Sequence, residues 1–206
     1  MGSRPPSRTT ARATPAKRLP KSEVAAVLLA TAALICTACS PEEAVAAGPH
    51  DRLDPDITYS ADLDGDSANE RILIDGTTAS LTISDGETTY RSRDRWQIVE
   101  AYLGDTDRDG LLEVVALVDD EQGRHLGLFA HFGGEYRERL VTSEIVPRPV
   151  GLEIVDLSAG LDPSVVATLT GDAVLLTIEA VPGRSEPQTV LCRWNGFGFT
   201  GIESEP

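Results

Sequence analysis

The stretch DTDRDGLLEVVALV, residues 105–118, places three aspartates on alternate positions and follows them with a glycine, a glutamate and an apolar run. Like charges this close repel one another unless a cation lies among them. The run EVVALV is apolar and rich in β-branched residues, which predicts a β-strand directly after the acidic loop. This stretch therefore predicts an acidic loop that leads into a strand, and it raises the question of what neutralises the loop.

A second stretch, DLDGDSANERILI at residues 62–74, repeats the arrangement. Counted from the first aspartate, carboxylates occupy positions 1, 3, 5 and 9 of both loops: Asp62, Asp64, Asp66 and Glu70 in the first, and Asp105, Asp107, Asp109 and Glu113 in the second. Position 7, which is Ala68 or Leu111, offers a backbone carbonyl. Alternating oxygen ligands around a tight turn are the arrangement with which protein loops wrap a calcium ion.

Calcium is the predicted cofactor of both loops. Magnesium demands tighter octahedral geometry and keeps more of its water, and zinc would need a Cys/His cluster, which the sequence does not show. The alternative is that both loops are solvated acidic turns without a metal. Identical spacing in two loops, each entering an apolar strand, favours metal binding.

The chain from about residue 56 onward shows β-type alternation and no helical period. Acidic loops begin at Asp62, Asp105 and Asp156, at spacings of 43 and 51 residues, which is the size of a four-stranded unit such as a propeller blade. In each unit a strand precedes the loop, and an apolar strand, a hairpin partner and a more polar strand follow it. We therefore predict an all-β fold of about three four-stranded antiparallel, blade-like repeats, as a compact barrel-like form or a partial propeller.

The third unit departs from the other two. In it SVVATLT, AVLLTIEA and TVLCRW are predicted to follow the loop, and FGFTGIE is predicted as an extra closing strand. Its loop keeps Asp156 at position 1 but has no carboxylate at positions 3, 5 and 9, which are Ser158, Gly160 and Ser164. We expect no metal there.

Both acidic loops resemble the calcium-binding FG-GAP and VCBS-type repeats of integrin α-subunit propellers and of many bacterial surface proteins. The resemblance extends over roughly residues 56–200, and RWNGFGF at residues 193–199 is similar to the W-D/N-G-x-x-F closing strand of such bacterial proteins. It implies a metal that stiffens a loop between strands. It also implies a role in adhesion, assembly or ligand display.

The N-terminal part has the pattern of an export signal. Lys17, Arg18 and Lys21 precede VAAVLLATAALICTAC, whose apolar run of about 15 residues is shorter than the roughly 20 that a membrane-spanning helix needs. The segment CTAC resembles the lipobox of bacterial lipoproteins, which implies lipidation of Cys39. Cleavage after AVA, residues 44–46, is the alternative and would release a soluble protein.

We accordingly predict three segments: a basic region and export signal over residues 1–38, a mature N-terminal tether over residues 39–55, and a β-repeat domain over residues 56–206. The predicted location is the cell envelope, with the protein lipid-anchored, and secretion as a soluble protein is the alternative. A lipid anchor would tether a folded domain to a membrane without inserting it.

The predicted mature chain is strongly acidic. Residues 1–38 carry six of the 18 Lys and Arg residues and one of the 33 Asp and Glu residues, which leaves 12 basic and 32 acidic residues, a formal charge of −20 and no lysine. Such a surface repels nucleic acid and anionic lipid, so we predict no nucleic-acid partner and membrane attachment through the lipid anchor only. Cys192 has no internal disulfide partner and is predicted to be a small buried hydrophobe.

The sequence does not show a catalytic constellation such as a nucleophile elbow or a Gly-rich phosphate loop. His125 and His131 are predicted to be structural or exposed, and Trp96 and Trp194 to belong to the core. We predict a non-catalytic binding or scaffolding protein whose partner is an envelope protein or a glycan. The alternative is an envelope enzyme or an enzyme's accessory subunit. The basic cluster RSRDRW, residues 91–96, is either a solvated strand end or a contact for an acidic or glycan partner.

Overall fold

The computed structural model describes residues 43–156, 172–180 and 186–202, and the regular structure in these ranges is entirely β-strand. Within them no helix has the length and apolarity needed to span a membrane. The predicted all-β class is confirmed, whereas Cys39 and the signal segment lie outside the described residues. The strands are β1 Val45–Ala46, β2 Thr58–Ala61, β3 Glu70–Asp75, β4 Ser80–Asp85, β5 Thr88–Arg91, β6 Gln97–Gly104, β7 Glu113–Asp120, β8 Gly123–His131, β9 Tyr136–Val141, β10 Pro149–Val155, β11 Ala173–Ile178, β12 Gln188–Trp194 and β13 Phe199–Ile202.

These strands form three sheets of chain-consecutive strands. Sheet A has the order β1-β2-β3-β4-β5, sheet B the order β6-β7-β8-β9, and sheet C the order β10-β11-β12-β13. Neighbouring strands are antiparallel except that β1 pairs in parallel with β2. None of the three sheets closes on itself. Each sheet thus contains one four-stranded antiparallel meander, which confirms the prediction of three blade-like repeats.

In the third repeat, the structure assigns the strands differently from the prediction. β10 pairs directly with β11, in a register that runs from Pro149↔Ile178 to Val155↔Ala173. The segment AVLLTI is therefore the second strand of sheet C, and FTGI, expected within an extra closing strand, is its fourth. The predicted strand order was wrong here, because β11 occupies the place beside β10 that the prediction gave to SVVATLT. The predicted strand SVVATLT, residues 164–170, lies outside the described residues.

Sheet B packs between sheets A and C because its second strand is apolar on both faces. Val114, Ala116 and Val118 belong to a core shared with sheet A, and Val115 and Leu117 belong to a second core shared with sheet C. Successive side chains of a strand point to opposite faces of the sheet, so the alternate residues of one strand serve two cores. The run EVVALV is buried throughout and gives β7 its central place.

The segment before β2 packs on the domain. The N–H of Leu53 donates to the carbonyl of Ala101 at 2.9 Å, and that of His50 donates to the carbonyl of Leu103 at 2.7 Å. The Leu53 side chain is only 2% exposed and lies in the core of sheets A and B. The described part of the predicted tether, residues 43–55, thus contributes strand β1 and a core residue.

Candidate metal sites

The two acidic loops hold the same place in two neighbouring sheets. Loop 1, residues 62–70, leads from β2 into the first residue of β3, and loop 2, residues 105–113, leads from β6 into the first residue of β7. The strand pairing closes both loops at the same point, because Ala61 pairs with Glu70 and Gly104 pairs with Glu113. Each loop therefore has the same length between the first and second strands of its meander.

Backbone N–H groups hold the aspartates of both loops in the same way. The aspartate at position 1 accepts hydrogen bonds from the N–H groups at positions 4 and 6. The aspartates at positions 3 and 5 each accept one from the N–H two residues further on, at 2.7–3.2 Å. The donors are Gly65, Asp66, Ser67 and Ala68 in loop 1, and Arg108, Asp109, Gly110 and Leu111 in loop 2.

Both loops also have left-handed backbone conformations at positions 4 and 6. In loop 1 these are Gly65 with φ +81° and Ser67 with φ +72°, and in loop 2 they are Arg108 with φ +62° and Gly110 with φ +89°. Glycine adopts this conformation without strain, but it occupies only one of the two positions in each loop, and not the same one. Two different sequences therefore follow one backbone path.

Three carboxylates converge in each loop. One oxygen from each of Asp62, Asp64 and Asp66 lies within 4.8 Å of the other two, and the same holds for the aspartates of loop 2, which are Asp105, Asp107 and Asp109. At position 7 the N–H groups of Ala68 and Leu111 donate to the aspartate at position 5, and their carbonyl oxygens remain predicted ligands. The six aspartates chosen from the sequence are thus brought together in two groups of three.

The glutamates at position 9 are buried and brace their loops. Glu70 is 0% exposed, and its Oε2 accepts a hydrogen bond from the N–H of Leu63 at 2.5 Å. Glu113 is 2% exposed, and its Oε2 accepts from the N–H of Thr106 at 2.8 Å and from its hydroxyl at 3.0 Å. Each glutamate therefore ties the start of its strand to position 2 of the loop, in addition to its predicted role as a ligand.

Three carboxylate oxygens in these loops are buried without a hydrogen-bond partner: Glu70 Oε1, Asp105 Oδ1 and Glu113 Oε1. Of these, Glu113 Oε1 has a positive charge nearby, because Nη1 of Arg139 lies 3.6 Å away. A buried carboxylate oxygen that lacks a partner is costly, and native structures leave few such atoms unexplained. All three are hard oxygen donors, and each belongs to a predicted ligand. The residues present therefore fit a calcium ion.

Burial raises the pKa of three carboxyl groups in the loops. The pKa of Glu113 rises to about 8, chiefly because burial disfavours its charged form and further because Asp107 and Asp109 carry like charge. Burial is also the largest cause of the raised pKa values of Glu70 and Asp105. A divalent cation among these groups would favour their charged forms and oppose this effect.

Two residues outside the loops reach them, and neither was predicted. Asp85, the last residue of β4, places an oxygen within 4.8 Å of oxygens of Asp64 and Glu70. Arg139, in β9, donates from Nη1 to Asp107 Oδ2 at 2.5 Å. The register of the β3–β4 hairpin is the signal for Asp85, because the pairing of Arg71 with Ser84 carries Asp85 toward Glu70. We find no local sequence signal for Arg139.

Both histidines of the repeat domain have structural contacts. His125 is 3% exposed, with Nδ1 2.9 Å from the carbonyl oxygen of Thr142 and Nε2 2.9 Å from Asp120 Oδ1. His131 is half-buried and its ring lies 5.1 Å from that of Tyr136, centroid to centroid. Neither residue is part of the two acidic loops.

The remaining predicted features fall mainly in the core or at its edge. Cys192 is a buried residue of the second core, as predicted, and Trp96 and Trp194 are each 4% exposed. Arg93 and Arg95 of the basic cluster are exposed and lie over the Trp96 ring at 4.9 and 5.4 Å. Asp156 is exposed, while the rest of the predicted metal-free third loop lies outside the described residues.

No family model matches this chain, and no curated protein or solved structure matches it either. The resemblance to FG-GAP and VCBS-type repeats therefore stays a prediction from the sequence. What the loops do must be inferred from their own geometry and chemistry.

Proposed function

We propose that this protein is an exported, lipid-anchored, non-catalytic binding or scaffolding protein of the cell envelope, of the FG-GAP/VCBS type, in which loops 1 and 2 each bind calcium. One observation carries the proposal: the two loops share their length, their hydrogen bonds, their left-handed positions and their three converging aspartates. A solvated acidic turn requires none of these features to recur. A cation site requires its ligands to meet at one point, and the shared backbone path brings the three aspartates of each loop together.

Calcium would stiffen the domain where the two loops meet. A Cβ added at Gly65 in loop 1 would lie 2.8 Å from Leu111 Cδ2 in loop 2, so the loops are in contact. Each loop joins the first two strands of its meander, and a cation would offset the repulsion among its carboxylates. A domain stiffened in this way presents a fixed surface to a partner, which suits binding or scaffolding.

Two potential catalytic groups are already engaged or buried. The partners of the His125 ring nitrogens, a carbonyl oxygen and a carboxylate oxygen, are both hydrogen-bond acceptors, so neither nitrogen is left to act on a substrate. Cys192 lies in the apolar core, and burial raises the pKa of its thiol. The reactive thiolate is thereby disfavoured. These contacts support a non-catalytic role.

The position of β1 supports processing at Cys39. Cleavage after Ala46 would remove β1 and its parallel pairing with β2. Processing at Cys39 would keep β1 on the mature chain, whereas the turn at residues 49–50 and the core residue Leu53 remain in either case. Mass spectrometry of the protein isolated from membranes tests this directly, because a lipidated N-terminal Cys39 and an unmodified Ala47 differ in both mass and hydrophobicity.

The calcium proposal is tested by melting the purified protein with about 2 mM calcium and again with excess EDTA. For dissociation constants of roughly 10⁻⁴–10⁻³ M, binding at this concentration stabilises by about 0.6–1.8 kcal/mol per site. Two sites should then raise Tm by roughly 3–14 °C in a domain of this size. Asp66→Asn and Asp109→Asn, each at position 5, should each reduce this rise.

The matched control is Asp94→Asn, which removes the same charge from an exposed turn outside both loops. It should leave the calcium effect unchanged. If calcium does not shift Tm in the wild-type protein, or if the three variants respond alike, the loops are solvated turns and the proposal fails.

One observation favours the alternative of an envelope enzyme or accessory subunit. A cavity of about 400 Å³ on sheet B is lined by polar side chains that include Arg93, Arg95, Asp120, His125 and Glu138. Assays with chromogenic ester, phosphate and glycoside substrates test this role. Turnover that Glu138→Gln abolishes and that persists in EDTA would favour the enzyme over the binding protein.

A further inference from the structure

Loop 1 contacts an acidic side chain from outside the loop, in addition to its own four carboxylates, and loop 2 has no counterpart to it among the described residues. Oxygens of Asp64 and Glu70, at positions 3 and 9, lie within 4.8 Å of each other and of an oxygen of Asp85. Asp85 comes from the end of β4, outside the loop. The Glu70 side chain is fully buried and its Oε2 is engaged by the N–H of Leu63. Its Oε1 has no partner within hydrogen-bond distance, although the hydroxyl of Tyr136 is close enough to the carboxyl group to lower its pKa.

In loop 2 the same two positions meet a positive charge instead. Nη1 of Arg139 lies 2.5 Å from Oδ2 of Asp107, at position 3, and 3.6 Å from Oε1 of Glu113, at position 9. The guanidinium also lies over the rings of Phe132 and Trp194 at 5.4 and 5.0 Å, which fixes its location. Arg139, from β9, thus supplies a positive charge to loop 2 where Asp85 supplies an additional carboxylate to loop 1.

The formal charges show what this difference requires. One divalent cation together with Arg139 brings the four carboxylates of loop 2 from −4 to −1, and Arg108, within the loop, adds one further positive charge. One divalent cation alone leaves the five carboxylates of loop 1, with Asp85 included, at −3, and a second cation brings them to −1. Uncompensated charge is most costly where side chains are buried, as Glu70 is.

We propose that Asp64, Glu70 and Asp85 form a second, inner calcium position in loop 1, and that the guanidinium of Arg139 takes the corresponding place in loop 2. This inference rests on the proposed calcium sites and extends them. Asp64 belongs to both groups of three in loop 1, and Glu70 is also the predicted position-9 ligand of the first ion, so these two carboxylates are shared by the two positions. The folded protein therefore binds three calcium ions, two in loop 1 and one in loop 2.

The first test counts bound calcium by equilibrium dialysis of the full chain at about 10 mM calcium, which exceeds the weakest constants expected for such sites. The wild-type protein should bind three ions and Asp85→Asn two. Glu87→Gln is the matched control, because it removes an exposed acid from the same β4–β5 turn, and it should leave three ions. Two ions in all three proteins would overturn the inner position while leaving one site per loop. No bound ions would overturn the proposed function as well.

The second test separates ligation from an ordinary structural role. Asp85→Asn removes a repulsion that calcium would otherwise relieve, so it should raise Tm in EDTA and reduce the further rise on adding calcium. A residue with only a structural role would lower Tm in both conditions. That result, or an unchanged calcium effect, would contradict the assignment of Asp85.

The third test addresses loop 2. Arg139→Met keeps an apolar stem against Trp194 but removes the charge, so a fourth ion should bind and the calcium-dependent rise in Tm should grow. Arg139→Lys keeps the charge and should still bind three ions. If Arg139→Met binds no more calcium than Arg139→Lys, the guanidinium does not occupy a position that a calcium ion could take in loop 2.

Discussion

The contact between the two loops makes a quantitative prediction for Gly65→Ala. Gly65 has φ +81°, and forcing a residue with a Cβ into this region costs about 1–2 kcal/mol. Part of that cost is offset because alanine lowers the conformational entropy of the unfolded chain, which stabilises the folded protein by about 0.4–1 kcal/mol relative to glycine. The new Cβ would also lie 2.8 Å from Leu111 Cδ2, and moving that side chain off its rotamer costs roughly 0.5–1.5 kcal/mol. We expect a total loss of about 2 kcal/mol, within a range of about 0.5–3 kcal/mol.

Gly110→Ala is the matched control. Gly110 has φ +89°, but a Cβ there meets nothing within 4 Å, so only the backbone cost remains, a net loss of about 1 kcal/mol. The variant Leu111→Ala removes the side chain that a Cβ at residue 65 would displace. The double variant Gly65→Ala, Leu111→Ala should therefore lose about 0.5–1.5 kcal/mol less stability than the sum of the losses of the two single variants.

Urea unfolding in EDTA, followed by tryptophan fluorescence, measures the free energy of unfolding of the wild-type protein and the four variants without interference from calcium. The interaction energy comes from the double-mutant cycle. Equal losses for the two glycine variants, together with additivity in the cycle, would show that loop 1 and loop 2 do not touch in solution. That result would contradict the proposal that calcium stiffens the region where the loops meet.

Three further predictions concern pH and the core. In EDTA, the free energy of unfolding should fall as pH rises from about 5 to about 9, because the pKa of Glu113 is raised to about 8 in the folded protein and the protonated form stabilises the fold below that value. In thermal melts, calcium should flatten this pH dependence. Glu113→Gln should also make the pH dependence weaker. The hydrogen bonds from Arg124 lower the pKa of Asp119, so the stabilisation by ionised Asp119 is present above its ordinary pKa near 4 and is lost as pH falls through its pKa in the folded protein. Asp119→Asn should lower the free energy of unfolding by about 1.5–3 kcal/mol at pH 7. Urea midpoints should show that this variant loses less stability on acidification than the wild-type protein. Phe129→Ala should cost about 3–5 kcal/mol because Phe129 is fully buried, whereas Phe197→Ala, at a side chain 92% exposed, should change stability by less than about 0.5 kcal/mol in the same assay.

The features that the sequence predicted correctly are those that depend on near neighbours. The alternation of β-branched residues identified the strands of the first two repeats, since a strand's side-chain period is set by its own backbone. Carboxylates at positions 1, 3 and 5 of each loop were predicted to converge, and they do. The apolar run EVVALV was predicted as a strand, and it is a strand buried on both faces.

The features that escaped prediction depend on contacts between distant segments. Asp85 and Arg139 reach the loops only because strand pairing brings β4 and β9 close to them, and neither has a distinctive local pattern. The left-handed conformations of Ser67 and Arg108 were also unexpected, because both residues carry a Cβ that disfavours this region. The surrounding hydrogen bonds to the position-1 aspartates hold them there.

The place of each loop in the fold gives a reason why Arg139 reaches only loop 2. Loop 2 belongs to the central sheet, and Arg139 reaches it while lying 5.0 Å above the ring of Trp194 in sheet C. One guanidinium therefore compensates the acids of loop 2 and contacts the neighbouring sheet, and this compensation is present whether or not calcium is bound. Loop 1 belongs to sheet A, where the residue that meets positions 3 and 9 is Asp85. The stability of the sheet A side should therefore depend on external calcium more strongly than the stability of the central sheet, so that calcium acts unequally on two loops with the same backbone.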